Sequence, residues 1–362
     1  MTGTPLLCTL TQGDRHGGIA RVSELLWRAT QAITGGACRR LSLLSGDTEE
    51  LTFARRVGYA RALMAAQLSE RPAWILFDHL GIARPQVLVP GALRAPYAVF
   101  IHSLEVWRPL PRHRKRALLN AEFLISNSHY TADRAKAIHP DLPPIHVCHL
   151  ALDESSPAAV GSPDRDLLAR IGERSVLLVG RMLSAERHKG HDELLDAWSD
   201  VLARIPAAQL VIAGQGDDVP RYRAKAEALG IERQVIFTGR VSEATLHALY
   251  DRVAAYAMPA RAEGFGLVYL EAMSHRLPVL ASTADAASEI VVDGETGFLI
   301  HPDDRAALLD RLVRLLEDGS LRRRLGDAGH ARWRAQFSYQ RFQTRLEAIL
   351  CPIRMQDPSF RR

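Results

Sequence analysis

The sequence predicts an α/β protein made of two Rossmann-like domains. In the second half, short apolar runs alternate with longer stretches of helical character, the pattern of βαβ units on a parallel sheet. The first half shows the same alternation more loosely. Between them Asp153–Pro163 is rich in Ser, Pro, Ala and Gly, the composition of a linker. A length of 362 residues suits two ordinary domains. The expected boundaries are 1–160 for the first domain, 165–335 for the second and 336–362 for a C-terminal helix.

Leu6–Thr11 reads as the first strand, running into the loop Gln12-Gly-Asp-Arg-His-Gly-Gly18 and then a helix over about Ile19–Gln31. Trp74–Phe77, Ala98–Ile101, Phe123–Ser126 and Ile145–His149 read as further strands because each is a compact apolar run. In the second half the expected strands are Ser175–Arg181, Gln209–Ala213, Gln234–Thr238, Ala254–Met258, Pro278–Ser282 and Gly297–Ile300, with a strand-like Glu289–Val292. Helices are expected over Asp192–Ile205, Arg221–Leu229, Glu243–Asp251 and Gly264–His275. After Asp310 the chain reads as helical, with Phe342–Leu350 the last clear stretch.

Composition narrows the class. A chain 47% hydrophobic and 24% charged is that of a globular protein with sizeable cores. Cys8, Cys38, Cys148 and Cys351 have no paired spacing, which points to reduced thiols in the cytoplasm. The start has no signal-peptide pattern, and Asp78, Arg84, Arg94 and Glu105 interrupt 73–107, the stretch nearest to a membrane span. The net charge of +5 gathers at Arg108, Arg112, Arg114, Lys115 and Arg116, with His113 among them and Trp107 alongside. Such a cluster is either a solvated helix start or a patch that holds the inner face of an anionic membrane. No base- or backbone-recognition motif accompanies it, so nucleic acid is not an expected partner. His146 and His149 flank Cys148, but strand geometry puts positions three apart on opposite faces, and no metal is expected.

The chemistry concentrates in Glu263-Gly-Phe-Gly-Leu-Val-Tyr-Leu-Glu271, two carboxylates eight residues apart around Gly264, Phe265, Gly266 and Leu267. The glycines let backbone approach a ligand, and the amides of Gly264–Leu267 at a helix start favour phosphate. One acid is placed to hold ribose hydroxyls and the other a sugar, the outline of a nucleotide-sugar site; an ordinary strand–turn–helix carries similar residues. Gly180-Arg181 at a strand end and Lys189 before a helix add two cations suited to a diphosphate leaving group. Gly17 and Gly18 open the first helix and offer backbone amides. His102 ends the Ala98–Ile101 strand, placed either to contact a sugar or to be held by a backbone carbonyl.

Gly180-Arg181, Lys189-Gly190, Ala213-Gly214-Gln-Gly216, Phe237-Thr-Gly239, the paired glutamates and Asp293-Gly294-Glu-Thr-Gly297 fall in an order that resembles glycosyltransferase family 4. The resemblance is specific over about 175–302 and rests on Gly17-Gly18 and His102 in the first half. Glu186–Asp192 and His102–Trp107 look most like bacterial mannosyl- or glucosyltransferases of exopolysaccharide and O-antigen synthesis. The resemblance implies a GT-B fold with two domains facing a cleft, and a final helix returning to the first domain. It further implies a retaining, metal-independent transfer with no cofactor beyond the donor, GDP-mannose or a UDP-hexose, and a lipid-linked or saccharide acceptor bound by the first domain. Arg181 and Lys189 then bind the diphosphate, Glu271 the ribose, Glu263 the donor sugar and the Gly264–Leu267 amides the pyrophosphate. Gly18 approaches the phosphate, His102 lies beside the transferred sugar, and Phe237 to Val241 border the base.

Three departures from the family pattern stand out. The Arg181–Lys189 spacing is longer, Ser274-His275-Arg276 replaces small residues ending in glycine, and Ala284-Asp-Ala-Ala-Ser288 replaces a glycine-rich turn. The rival readings are a GT-B sugar-nucleotide epimerase or phosphorylase, or an inactive nucleotide-sugar-binding scaffold.

Overall fold

The computed structural model describes residues 3–12, 17–44, 51–152 and 161–354. The loop 13–16 and most of the expected linker, 153–160, lie outside the described residues. The chain divides into two compact units, Met1–Ala151 with Tyr339–Arg362, and Leu152–Ser338.

In the first unit, β1 (Leu6–Thr11), β2 (Arg39–Leu44), β3 (Ile75–Phe77), β4 (Tyr97–Ile101), β5 (Phe123–Ser126) and β6 (Ile145–Val147) form one sheet ordered β2-β1-β3-β4-β5-β6. Its pairings are parallel. β3, β4 and β5 are buried throughout, as near-continuous apolar runs should be when helices cover both faces. The direction of winding reverses between β1 and β3, the order of flavodoxin-like sheets, and their carboxyl ends mark a ligand-binding position. β2 was not anticipated. It is an edge strand beginning with two arginines, mostly half-exposed, so it lacks the buried apolar signature. The final helix, Tyr339–Arg354, belongs to this unit: Arg345 donates to the His149 carbonyl at 3.1 Å, and Arg28 lies 4.5 Å from the Tyr339 ring centre.

In the second unit, β7 (Ser175–Val179), β8 (Gln209–Ala213), β9 (Val235–Gly239), β10 (Ala255–Ala257), β11 (Val279–Ser282) and β12 (Gly297–Ile300) are ordered β12-β11-β10-β7-β8-β9. Counted within the unit this is the 3-2-1-4-5-6 order of dinucleotide-binding sheets, with its switch point between β7 and β10. Two expected elements differ. Glu289–Val292 is not a strand: Ala287–Ile290 is a helical turn closed by Val291 N–H donating to the Ala287 carbonyl at 2.8 Å. β11 pairs directly with β12, so the segment between them in the chain is not inserted between these two strands. The helix expected from Gly264 begins at Leu267 and runs to Ser274, because Gly266 takes a left-handed φ of 92° that breaks helical continuity.

That helix also ends unusually. Arg276 adopts φ 56°, with its N–H donating to Met273 O at 3.0 Å and Leu277 N–H to Ala272 O at 3.0 Å, a Schellman closure without glycine. The left-handed conformation costs about 1 kcal/mol for a residue with a Cβ. Arg276 accepts it while pairing with Asp327 at 2.6 Å.

Candidate active site

The second unit gathers its charged groups at the β7/β10 switch point. Lys189 precedes the His191–Arg204 helix through Gly190, whose φ is 83° and whose added Cβ would lie 2.9 Å from the Pro259 nitrogen. That seat places Lys189 Nζ 2.9 Å from Glu263 Oε2, with both side chains largely buried at 17% and 20% exposure. The Glu263 charge raises the Lys189 pKa. Burial works to raise the Glu263 carboxyl, but Lys189 overrides it and holds the group below the usual range. Arg181 follows β7, donates to Glu186 at 2.7 Å and keeps a largely exposed guanidinium. His188 lies in the same field, its pKa lowered by burial and by Lys189, with Glu263, Glu186 and Arg181 acting on it too. Thus Arg181, Lys189 and Glu263 converge, although in sequence they lie on two distant segments.

Glu271 sits in the middle of the Leu267–Ser274 helix, buried, and accepts the Tyr250 hydroxyl at 2.8 Å. Gly266 precedes that helix, and a Cβ there would lie 2.4 Å from the Tyr269 ring, so the turn admits no side chain. The Phe265 side chain is not available to a ligand: it is buried against Phe337, ring centres 6.1 Å apart. Only the backbone of Gly264, Phe265 and Gly266 is suited to the role expected of it. Gly214 has a different reason to be glycine, since a Cβ would meet the Gly180 carbonyl oxygen at 2.0 Å. It lets the loops after β7 and β8 pack together. Phe237 is half-exposed on β9 with Arg223 stacked 5.0 Å from its centre, and Val241 follows, also half-exposed.

Two residues absent from the expected site support it. Asp285, buried, accepts the Glu263 N–H at 3.2 Å and the Ala287 N–H at 2.9 Å, tying the loop after β11 to the acidic turn. Tyr250 orients Glu271 from a helix whose pattern signals only core packing. Asp285 lay in plain view within Ala284–Ser288; a lone acid past a strand end was the available signal.

Burial pushes the Asp285 carboxyl up to about 7. A carboxyl whose folded pKa exceeds its unfolded value stabilises the fold fully only below the unfolded pKa near 4, and that contribution is lost as pH rises through about 7. Asp285→Asn is therefore expected to flatten the pH dependence of stability between pH 5 and pH 8, read as urea midpoints across ~1-unit pH steps. A variant whose midpoints track the parent at each pH would contradict the assignment.

In the first unit, Gly17 has φ 112°, and among the described residues Cβ atoms added at Gly17 and Gly18 meet nothing within 4 Å. Among the described residues, the Gly18–Ile33 helix begins with no side-chain cap. His102 lies beyond β4 with Nε2 2.8 Å from the Asp78 carbonyl oxygen, so the backbone-held alternative is the observed geometry. A carbonyl oxygen only accepts, so Nε2 carries the proton. Burial lowers the His102 pKa and keeps the ring neutral, leaving Nδ1 as a lone-pair acceptor.

In the basic cluster, Arg108, Arg112 and Arg116 are exposed, Arg114 is half-buried and Lys115 pairs with Asp141 at 2.7 Å. Trp107 is buried against Tyr130, 5.4 Å between centres, and so is not the surface aromatic expected beside the patch. Cys8, Cys38 and Cys148 are buried thiols and Cys351 an exposed one; none is in a disulfide.

A family model described as glycosyl transferases group 1 matches residues 165–332. A GDP-mannose-dependent alpha-(1-6)-phosphatidylinositol monomannoside mannosyltransferase from Mycolicibacterium smegmatis is 31% identical over 276 residues, covering 69% of each chain. This chain belongs to the group 1 glycosyl transferases. The phosphatidyl-myo-inositol mannosyltransferase of Mycobacterium leprae is 37% identical over 176 residues, 48% of this chain but 44% of that protein, so the match spans less than half the length of that relative. Among solved structures, Anabaena Alr3699/HepE in complex with UDP-glucose superposes with a TM-score of 0.76 at 18% identity, covering 96% of this chain and 99% of that one. The architecture of this group 1 family member is GT-B, two Rossmann-like units with parallel six-stranded sheets.

Proposed function

We propose that this chain is a retaining, metal-independent glycosyltransferase. It moves a mannose- or glucose-type hexose from GDP-mannose or a UDP-hexose to a lipid-linked or saccharide acceptor in surface polysaccharide or glycolipid synthesis. One observation carries the reading: Lys189 and Glu263 meet at 2.9 Å at a sheet switch point beside Arg181. There the cations neutralise a departing diphosphate as its charge develops. Arg181 releases Glu186 to grip phosphate oxygens, Glu263 accepts donor-sugar hydroxyls and Glu271 the ribose diol. The leaving phosphate itself takes the acceptor proton, so no covalent nucleophile is needed. The donor name in the Mycolicibacterium smegmatis relative supports GDP-mannose, and the HepE complex shows that the fold accommodates UDP-glucose. Thermal shift and transfer assays with GDP-mannose, UDP-glucose and UDP-N-acetylglucosamine test it. One donor should raise Tm strongly and lose its sugar. Failure of every nucleotide sugar to bind or turn over would sink the assignment and leave the scaffold reading.

We further infer that the protein works in the cytoplasm, peripheral at the inner face of the cell membrane where a lipid-linked acceptor would be met. Among the described residues, no helix is long and apolar enough to cross one. The basic Arg112–Leu119 helix borders an apolar cavity of about 250 Å³ lined in part by Tyr59, Ile82, Val87 and Leu88, with Arg56, Arg84 and His113 on it. Neutralising Arg108, Arg112 and Arg116 together is expected to reduce binding to anionic vesicles at least tenfold, as about 1 kcal/mol per cation implies. Sedimentation with phosphatidylserine vesicles measures it, and unchanged binding would return these residues to ordinary surface charge.

A further inference from the structure

Both cations of the proposed diphosphate seat pair with carboxylates of the chain itself. Lys189 faces Glu263 at 2.9 Å, and Arg181 donates through Nη2 to Glu186 Oε1 at 2.7 Å. Glu186 is the one hydrogen-bond partner of the Arg181 side chain among the described residues. The two carboxylates differ in what the proposed transfer asks of them. Glu263 has a donor sugar to bind. Glu186 has no ligand to bind, and it lies on the stretch between the cations that is longer than the family pattern.

The Glu186 side chain is only 18% exposed, and its Oε2 is buried with no hydrogen-bond partner among the described residues. A carboxylate oxygen in that position gains by turning outward to water. The loop around it opposes that turn. Glu186 N–H donates to Leu183 O at 2.8 Å. On one side of Glu186, Ser184 donates through its N–H and its hydroxyl to Asp217 at 3.0 and 2.6 Å. On the other side, Arg187 donates through Nε and Nη2 to the two oxygens of Asp218, both at 2.9 Å. Asp218 is 5% exposed and also accepts Arg221 Nε at 2.8 Å. Arg221, on the Val219–Ala228 helix, reaches both oxygens of Asp192 at 2.9 and 2.8 Å. A continuous ladder of ion pairs therefore runs from Arg187 to Asp192, on the helix after Lys189. The loop is fastened on both sides of Glu186, and its carboxylate is kept at the seat. Lys189, whose pKa the Glu263 charge raises most, feels the Glu186 charge as well.

We propose that Glu186 is a fixed internal rival of the diphosphate for the Arg181 guanidinium, a positioning residue that limits how tightly the nucleoside diphosphate product is held. This role rests on the function proposed above; the fastening of the loop does not. When phosphate oxygens take the guanidinium, Glu186 loses its charge-assisted partner and stays behind as a largely buried carboxylate. The lost bond and the repulsion between two anions both oppose the bound state. Donor and product meet the same opposition, because both carry the diphosphate. A tighter uniform grip on that group lowers KM without speeding the chemical step, and it slows product departure. The carboxylate offsets that grip.

The test titrates the full chain with GDP and with UDP in a calorimeter and follows their release by stopped flow. In Glu186→Gln, the nucleoside diphosphate that the parent binds should bind about tenfold tighter and leave more slowly. The matching nucleoside, which lacks phosphate, should keep its affinity within about twofold. A merely structural role predicts a lower Tm and weaker binding, so a gain in affinity separates the two. Unchanged or weaker binding in folded Glu186→Gln overturns the proposal, and so does an equal gain for the nucleoside. Should Glu186→Gln not fold, Arg187→Gln decides in its place. The Arg187 side chain is 51% exposed, so its loss spares the core while freeing one side of the loop. With Glu186 able to turn to water, nucleoside diphosphate affinity should rise about threefold, and no rise overturns the proposal. A nucleoside diphosphate bound by neither parent nor variant removes the proposed function and this role with it. One bound equally by both removes this role alone.

Discussion

Lys189→Gln is expected to lower turnover about 100-fold or more, the effect of removing one preorganised charge from a developing oxyanion. The geometry dictates this choice of substitution. Lys189 Nζ and Glu263 Oε2 are 2.9 Å apart and mostly buried, so Lys189→Ala leaves a buried carboxylate with its partner gone. Breaking such a pair destabilises a fold by about 3–5 kcal/mol. Alanine would therefore confuse a loss of chemistry with a loss of structure. Glutamine still donates a hydrogen bond to Glu263 but carries no charge. The expected pattern is a Tm close to the parent for Lys189→Gln, a clearly lower Tm for Lys189→Ala, and turnover lost in both. Nucleoside diphosphate affinity, measured calorimetrically, should weaken less than turnover, because the missing interaction strengthens as the sugar departs. Turnover near the parent's in Lys189→Gln would remove the cation from the mechanism.

Glu271→Gln is expected to raise donor KM about 10- to 100-fold with a smaller change in kcat. Two ribose hydroxyls donating to one carboxylate are charge-assisted bonds, worth about 1.5–3 kcal/mol in total effect when the charge is removed. These contacts hold the ground state and the transition state alike, so their loss appears in KM. Tyr250→Phe removes the 2.8 Å hydrogen bond that aims the carboxylate and should give a weaker version of the same change. The sugar-free nucleoside diphosphate should lose affinity in parallel, since ribose and not the sugar is the partner. A Glu271→Gln protein with unaltered affinity for both ligands would assign ribose recognition elsewhere.

Much of the second unit was legible because its signals are local. β8 and β12 have the boundaries read from Gln209–Ala213 and Gly297–Ile300, since each is a compact apolar run bounded by polar or glycine residues. β2 was illegible for the opposite reason: Arg39–Leu44 is an edge, and half-exposed strands carry no continuous apolar run. Glu289–Val292 misled because β-branched residues beside an acid look like a strand, whereas Ala287–Ile290 closes into a helical turn. Tyr250 was hidden because its role is a bond to Glu271 across 21 residues of chain, and Asp285 was visible only as a lone acid, its bond to Glu263 lying 22 residues away.

By itself the amino-acid order determined the two βαβ arrays and the glycines that allow close backbone approach, and marked Arg181, Lys189, Glu263 and Glu271 as candidates. Those follow from period, spacing and residue chemistry, which are properties of neighbours in the chain. Only the tertiary structure decided that Lys189 pairs with Glu263, that Phe265 faces the core, that Trp107 is buried, and which nitrogen of His102 bears the proton. Each of these depends on which strand ends lie side by side, and long-range sheet order sets that proximity.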